Sequence, residues 1–172
     1  MFAKILVGFD GSPHAQRAVD SALEVAGRFR SAVTVAIVRP TSSEETPAEL
    51  EKLLPLGDDG RPLGVVLDLI RDRGLSVGAS RVDWTVLRGE VVDRLVELIA
   101  RDHFDLVVVG SRGLTAGRRL LLGSVSAALV NRAPCPVLVV RGTKRSAGSA
   151  GSTPARGARV RAAPEDEGHE QN

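Results

Sequence analysis

Two segments of the chain carry residue types that hold an oxyanion. Gly110-Ser111-Arg112-Gly113 is followed, after nine residues, by Gly123-Ser124. Glycines let a backbone pass close to a ligand, and successive N–H groups in such a loop can point inward at phosphate oxygens. Gly123-Ser124 opens a helical pattern, so the dipole and free N–H groups of a helix start join the same site. Ser124 is placed both to cap that helix and to donate to a phosphate oxygen. The other segment, Asp10-Gly11-Ser12-Pro13, puts a carboxylate at the end of an apolar run with a helix start just behind it. Each piece also has a local reading: Asp10 and Ser12 as a helix cap, Gly110 and Gly113 as an ordinary loop, Gly123-Ser124 as an ordinary helix start. Two glycine segments flanking one loop, with Asp10 facing them, favour a nucleotide phosphate site.

Other side chains weigh less. Arg118 and Arg119 lie between the glycine segments and could neutralise phosphates, or simply form a solvated basic pair. His14 falls in the first turn of a helix near Asp10, and a lone histidine carries little weight as a general base. Cys135, between Pro134 and Pro136, has no basic or histidine neighbour in sequence to make it a nucleophile and reads as a small core residue. Trp84 falls inside a strand and reads as packing.

These residues need elements to position them. Continuous branched-aliphatic runs at Lys4–Phe9, Ala32–Val38, Asp105–Val109 and Val137–Val140 have the character of parallel strands buried on both faces. Ser80–Leu87 is a fifth strand. Between the first two runs, Ala15, Ala18, Val19, Ala22, Val25, Ala26 and Phe29 recur at helical spacing, with Ser12 as N-cap and Pro13 at the first helical position. Leu63–Gly74 and Glu90–His103 read as further helices, the latter with Val91, Leu95, Leu98 and Ile99 on one face. A short helix starts at Gly123-Ser124 and must end before Pro134. Strands alternating with helices predict an open parallel α/β sheet, whose ligands bind beyond the carboxyl ends of the strands where successive connections leave toward opposite faces. Residues 39–62 are polar and rich in Pro and Gly, a long loop with one helical turn at Ala48–Leu54.

Composition narrows the function classes. With 43% hydrophobic and 26% charged residues the 172-residue chain is in the globular range, which excludes a wholly disordered protein. Six basic and four acidic residues lie beyond Val140, so the entire formal excess of +2 belongs to the last segment and the body is neutral. A neutral body, one Trp, four Phe and no Tyr argue against nucleic-acid binding. No apolar run approaches the ~18 residues of a membrane span. One cysteine allows no internal disulfide, and His14, His103 and His169 have no metal-ligand spacing, so the expected setting is cytoplasmic. After Arg141 the chain turns to Gly, Ser, Ala, Pro and Arg with an acidic end, and residues 142–172 are expected to form a disordered tail outside a domain at 1–141.

The order of elements, the start Val7-Gly8-Phe9-Asp10-Gly11-Ser12 and the spacing G-x2-G-x9-G-S at Gly110, Gly113, Gly123 and Ser124 resemble the ATP-binding branch of the universal stress protein family. The resemblance covers Phe2 to about Arg141 and implies a Rossmann-like fold: a five-stranded parallel sheet of order 3-2-1-4-5 with helices on both faces. By position it implies that Asp10 contacts the adenosine end and that Val38 borders the adenine pocket. Gly110, Arg112, Gly113, Gly123, Ser124 and Val125 would wrap the ribose and phosphates, and Val109 joins the same binding set. ATP is the implied ligand, with Mg²⁺ held through Asp10. The long Pro-rich 39–62 loop and the segment after Arg141 depart from the family pattern.

Three functions follow: an ATP-binding stress-response module that regulates or protects through a protein partner yet to be identified, a slow ATP hydrolase, or a nucleotide-free dimeric scaffold. Phosphoryl transfer needs a metal and a positioned acceptor, and neither a G-x4-G-K-[ST] loop nor a second acidic residue beside the motif is present, which favours binding over efficient catalysis. No S-G-G-x-D-S loop or H-x-G-H pair points to pyrophosphatase or nucleotidyltransferase chemistry. A flavodoxin-like carrier fits the architecture but lacks aromatics to flank a flavin. An empty scaffold would have bulky residues at the glycine positions. The last strand, Val137–Val140, leaves an apolar edge that a homodimer would cover.

Overall fold

The computed structural model describes residues 2–39, 62–113 and 122–141. The expected helical turn at Ala48–Leu54, the Arg118–Arg119 pair and the 142–172 tail lie outside them. Within the described residues the elements run β1 (Lys4–Gly8), α1 (Pro13–Phe29), β2 (Ala32–Arg39), α2 (Leu63–Ser76), β3 (Arg81–Arg88), α3 (Val91–Asp102), β4 (Leu106–Gly110), α4 (Ser124–Arg132) and β5 (Val137–Val140). All neighbouring strands pair in parallel, in the order β3-β2-β1-β4-β5.

The continuous apolar runs have the cause expected of them. Side chains alternate across a strand, so a strand covered on both faces must be apolar at every position. Ile5, Val7, Val33, Val35, Ile37, Leu106 and Val108 face α1 and α2 in one cluster. Leu6, Ala36, Val107 and Val109 face α3 and α4 in a second, with Leu95, Leu98, Ile99 and Leu129. Both clusters are essentially dry, and Leu6, Val7, Val33 and Val107 are wholly inaccessible.

Helix α1 begins where the sequence places it. Ser12 Oγ accepts the Ala15 N–H at 3.1 Å, Pro13 occupies the first turn, and Arg30 closes the helix in the left-handed conformation with φ 55°. Phe29, assigned to the buried stripe, is instead 40% exposed and meets the edge of Phe2, ring centroids 5.9 Å apart. Leu23 takes the buried place. Two strands lie one residue later than expected. Asp105 does not open β4, because its Oδ2 accepts the Ala3 and Lys4 N–H groups at 2.8 Å and fastens the start of β1. Ser80 precedes β3, its N–H donating to the Ser31 carbonyl at 3.0 Å.

Helices α1 and α2 share one face and touch through an Asp20–Arg73 ion pair and through Gly27, where a Cβ would run into the Val77 carbonyl. In an open helix, alanine in place of glycine stabilises by about 1 kcal/mol. Gly27→Ala should reverse that sign and destabilise by about 1–3 kcal/mol, because backbone has to move. Gly64→Ala on α2, with nothing within 4 Å of the new Cβ, should stabilise by up to about 1 kcal/mol. Urea unfolding of the two variants measures the contrast.

Candidate functional site

The connections β1–α1–β2–α2–β3 use one face of the sheet and β3–α3–β4–α4–β5 the other, so the chain changes face between the adjacent strands β1 and β4. Two peptide segments leaving in opposite directions open a crevice at the carboxyl ends of that strand pair. Asp10 follows β1 into it, and Gly110 to Gly113 follow β4.

Asp10 is fixed by its own turn. Its Oδ1 accepts the Ser12 N–H at 3.0 Å, and Gly11 between them has φ 82°, a conformation that glycine enters without strain. Oδ2 faces the other segment: a Cβ on Gly113 would lie 2.7 Å from it. The missing side chain of Gly113 therefore makes room for the Asp10 carboxylate, and the sequence-distant halves meet at this contact. Gly110 has a different neighbour. Its Cβ would stand 2.8 Å from the carbonyl carbon and Cβ of His14, so the first turn of α1 lies directly on the end of β4. Gly110 is required here by packing between protein segments.

Beyond β4 the ladder continues by one residue. The Ser111 N–H donates to the Val140 carbonyl at 2.8 Å, and the Ser111 carbonyl accepts the Gly123 N–H at 2.7 Å. The Ser126 hydroxyl donates to the Gly123 carbonyl at 3.0 Å and lies 3.4 Å from the Ser111 carbonyl. One residue thus joins β4, β5 and the start of α4. Ser124 does not cap α4. Gly123 occupies the N-cap, with φ −73° and ψ 161°, and Ser124 is the first helical residue, its side chain exposed. Among the described residues no side chain caps the first N–H groups of α4, which carry the positive end of the helix dipole.

The other residues assigned from the sequence are distributed around this centre. Val109 is buried, while Val38 at the end of β2 and Val125 in the first turn of α4 are half-buried and pack into the α3–α4 side of the core. Arg112 is half-buried between Ser111 and Gly113. Cys135 precedes β5 and so lies at the opposite end of the sheet. Burial pushes its thiol up, the Asp105 charge adds to this, and a Val107 backbone hydrogen bond opposes both. Trp84 packs against the α1–α2 side of the core. Ser111 and Ser126, which tie the glycine segments together, escaped the sequence reading. The spacing of Ser126 three residues after the N-cap glycine is the signal that was there to use. Among the described residues no group of three or more His, Cys, Asp or Glu could hold a metal, and no helix is long and apolar enough to cross a membrane.

Comparison with known proteins identifies the family and agrees with the fold. A model of the universal stress protein family matches residues 1–141. Universal stress protein Rv1636 of Mycobacterium tuberculosis is 33% identical over 143 residues, which covers 83% of this chain and 98% of that protein. Among solved structures, a universal stress protein in complex with cAMP is 32% identical with a TM-score of 0.66, over 81% of this chain and 97% of the other. UspA from Lactobacillus plantarum is 28% identical with a TM-score of 0.65, over 81% and 98%. On its sequence and its fold alike, the chain belongs to the universal stress protein family.

Proposed function

We propose that this protein binds an adenine nucleotide in the crevice between β1 and β4 and acts as an ATP-responsive regulatory or protective module in the stress response, with at most slow ATP hydrolysis. The observation that carries the reading is the contact of Asp10 with Gly113 beside the open start of α4. It juxtaposes a carboxylate, which accepts hydrogen bonds from a nucleoside, with N–H groups that donate to phosphate oxygens. The cAMP complex of a relative 32% identical supports an adenine ligand.

ATP is the ligand proposed because the G-x2-G-x9-G-S spacing at Gly110, Gly113, Gly123 and Ser124 resembles that of the ATP-binding branch of the family. Mg²⁺ would arrive with the nucleotide. A magnesium ion keeps several waters and needs only one or two carboxylates in addition to phosphate oxygens, so Asp10 alone fits that role and the ion would neutralise phosphate charge. Among the described residues no group of three or more His, Cys, Asp or Glu forms around Asp10, which supports binding over turnover. The location proposed is cytoplasmic, and the protein partner that reads the nucleotide state is to be found.

A homodimer through β5 completes the proposal. β5 is an edge strand with Leu138 37% exposed, and Val130 on the neighbouring α4 is 53% exposed. The opposite edge, β3, carries the Arg81–Asp83 ion pair, and Arg71 of α2 donates to its Val82 carbonyl at 3.4 Å. Charge and a covered carbonyl protect that edge.

Calorimetric titration of nucleotide-stripped protein with ATP and Mg²⁺ should show binding, with little ADP found afterwards. Gly113→Val should abolish that binding while the far-ultraviolet circular dichroism stays unchanged, since the new side chain displaces the Asp10 carboxylate and blocks the crevice. Retained ATP affinity in this variant would refute the site. Titrated without Mg²⁺, Asp10→Ala should weaken adenosine and ATP by similar factors, because the carboxylate serves the nucleoside that both share; with Mg²⁺ present the loss for ATP should be the larger, since the ion's carboxylate is gone as well. Sedimentation equilibrium should give a dimer that Leu138→Asp splits. Val139 packs inward, so Leu138 is the position that tests the edge without emptying the core.

A further inference from the structure

His14 has no part in the site described so far, yet the fold brings it there. The chain leaves β1 through α1 and returns as β2, which lies parallel to β1, so α1 runs against the strands and its first turn stands at their carboxyl ends. A Cβ on Gly110 would lie 2.8 Å from both the carbonyl carbon and the Cβ of His14, so the base of the histidine side chain abuts the end of β4. That is the strand end from which one lip of the crevice departs.

Helical side chains lean toward the start of their own helix. From its contact with Gly110 the imidazole therefore runs outward past the end of β4, away from the core and along the crevice that Asp10 and Gly113 also line. His14 is half-buried, as a wall residue of a cleft is, and among the described residues no hydrogen bond or ion pair engages its ring. The charged groups at this end of the elements packed against α1 are Asp10 after β1, Arg39 at the end of β2, Arg112 after β4 and Arg141 after β5. Arg17 follows one turn along α1 itself, and α2 brings no charge before Asp68. Carboxylates and guanidinium groups are side chains that hold their charge between about pH 5 and 8, whereas imidazole is the one that changes it there.

We infer that His14 is a wall residue of the nucleotide crevice and gives the site a charge that depends on pH. Protonated, its imidazolium attracts the phosphate-bearing ligand; neutral, it does not. This rests on the nucleotide reading above and adds to it a residue from α1 and a regulation that a lining of glycine backbone does not supply. The sign follows from linkage: an anion binds the protonated form better, so affinity for an adenine nucleotide rises as the solution acidifies, and binding takes up protons. Adenosine, which carries no charge, is indifferent to the change.

The test titrates ATP and adenosine calorimetrically, without Mg²⁺, into the full chain as wild type, His14→Gln and His14→Lys, at about pH 8 and about pH 6. ATP changes its own charge over this range, but it does so for every variant, so the readout is the ratio of affinities between wild type and variant. For ATP the ratio of wild type to His14→Gln should be near one at the higher pH and rise to about tenfold at the lower. His14→Lys, charged throughout, should hold ATP more tightly than His14→Gln at both. For adenosine all ratios should stay near one. Repeating the ATP titration in two buffers of different ionisation heat should show more protons taken up by wild type than by either variant. A ratio for ATP that does not change with pH would overturn the inference, as would one that changes equally for adenosine. If wild type binds neither probe, the nucleotide reading fails and takes this inference with it, whereas a pH-independent ratio removes His14 alone.

Discussion

The pairing of β1 with β4 is the constraint on which everything functional depends. Ile5, Leu6 and Val7 lie opposite Leu106, Val107 and Val108, so two strands about a hundred residues apart in sequence are neighbours at the middle of the sheet. Because the chain builds outward from that pair in both directions, the helices of its two halves go to opposite faces. The crevice is then a product of topology, present before any side chain is chosen. What the sequence adds is the lining: a carboxylate on one lip, glycines on the other, and a helix start at the back.

That lining is held by backbone more than by side chains. Ser111 contributes one N–H to β5 and one carbonyl to the N-cap of α4, and this single residue keeps strand and helix in register at the crevice. Ion pairs contribute little here. Arg132 reaches Asp93 across α4 and α3 at 2.7 Å, but both side chains are about half exposed and water screens them. The packing is correspondingly unforgiving at Gly110 and Gly113, where the space for a side chain is already taken by His14 and by Asp10.

Much of this was legible in the sequence, for reasons that can be stated residue by residue. The uninterrupted runs of Val, Leu and Ile announced buried parallel strands because burial on both faces leaves no polar positions to break them. Ser12-Pro13 announced α1 because a cap and a ring-fixed φ are local requirements. Asp105 was misplaced for the opposite reason: its partners are Ala3 and Lys4, and nothing near it in sequence reveals them. Ser124 was read as a cap from its residue type, while Gly123 takes that position because its N–H must reach Ser111. The glycine motif showed that backbone comes close to something. Only the fold shows that part of that something is Asp10 and His14. The exposure of Phe29 follows from its place in the last turn of α1, where helical periodicity continues past the end of the sheet that would have buried it.

The fastening of β1 by Asp105 bears on how the chain is completed. Chains are made from the amino terminus, so β1, α1 and β2 emerge together and can pair at once over short loops. The first N–H groups of β1 must wait for a carboxylate some hundred residues later, and its second strand neighbour waits with them. The most central strand of the sheet is therefore the first to be synthesised and among the last to be enclosed. A growing chain carries Asp10 long before it has anything for that carboxylate to face, and it acquires a crevice only when α4 closes the far side.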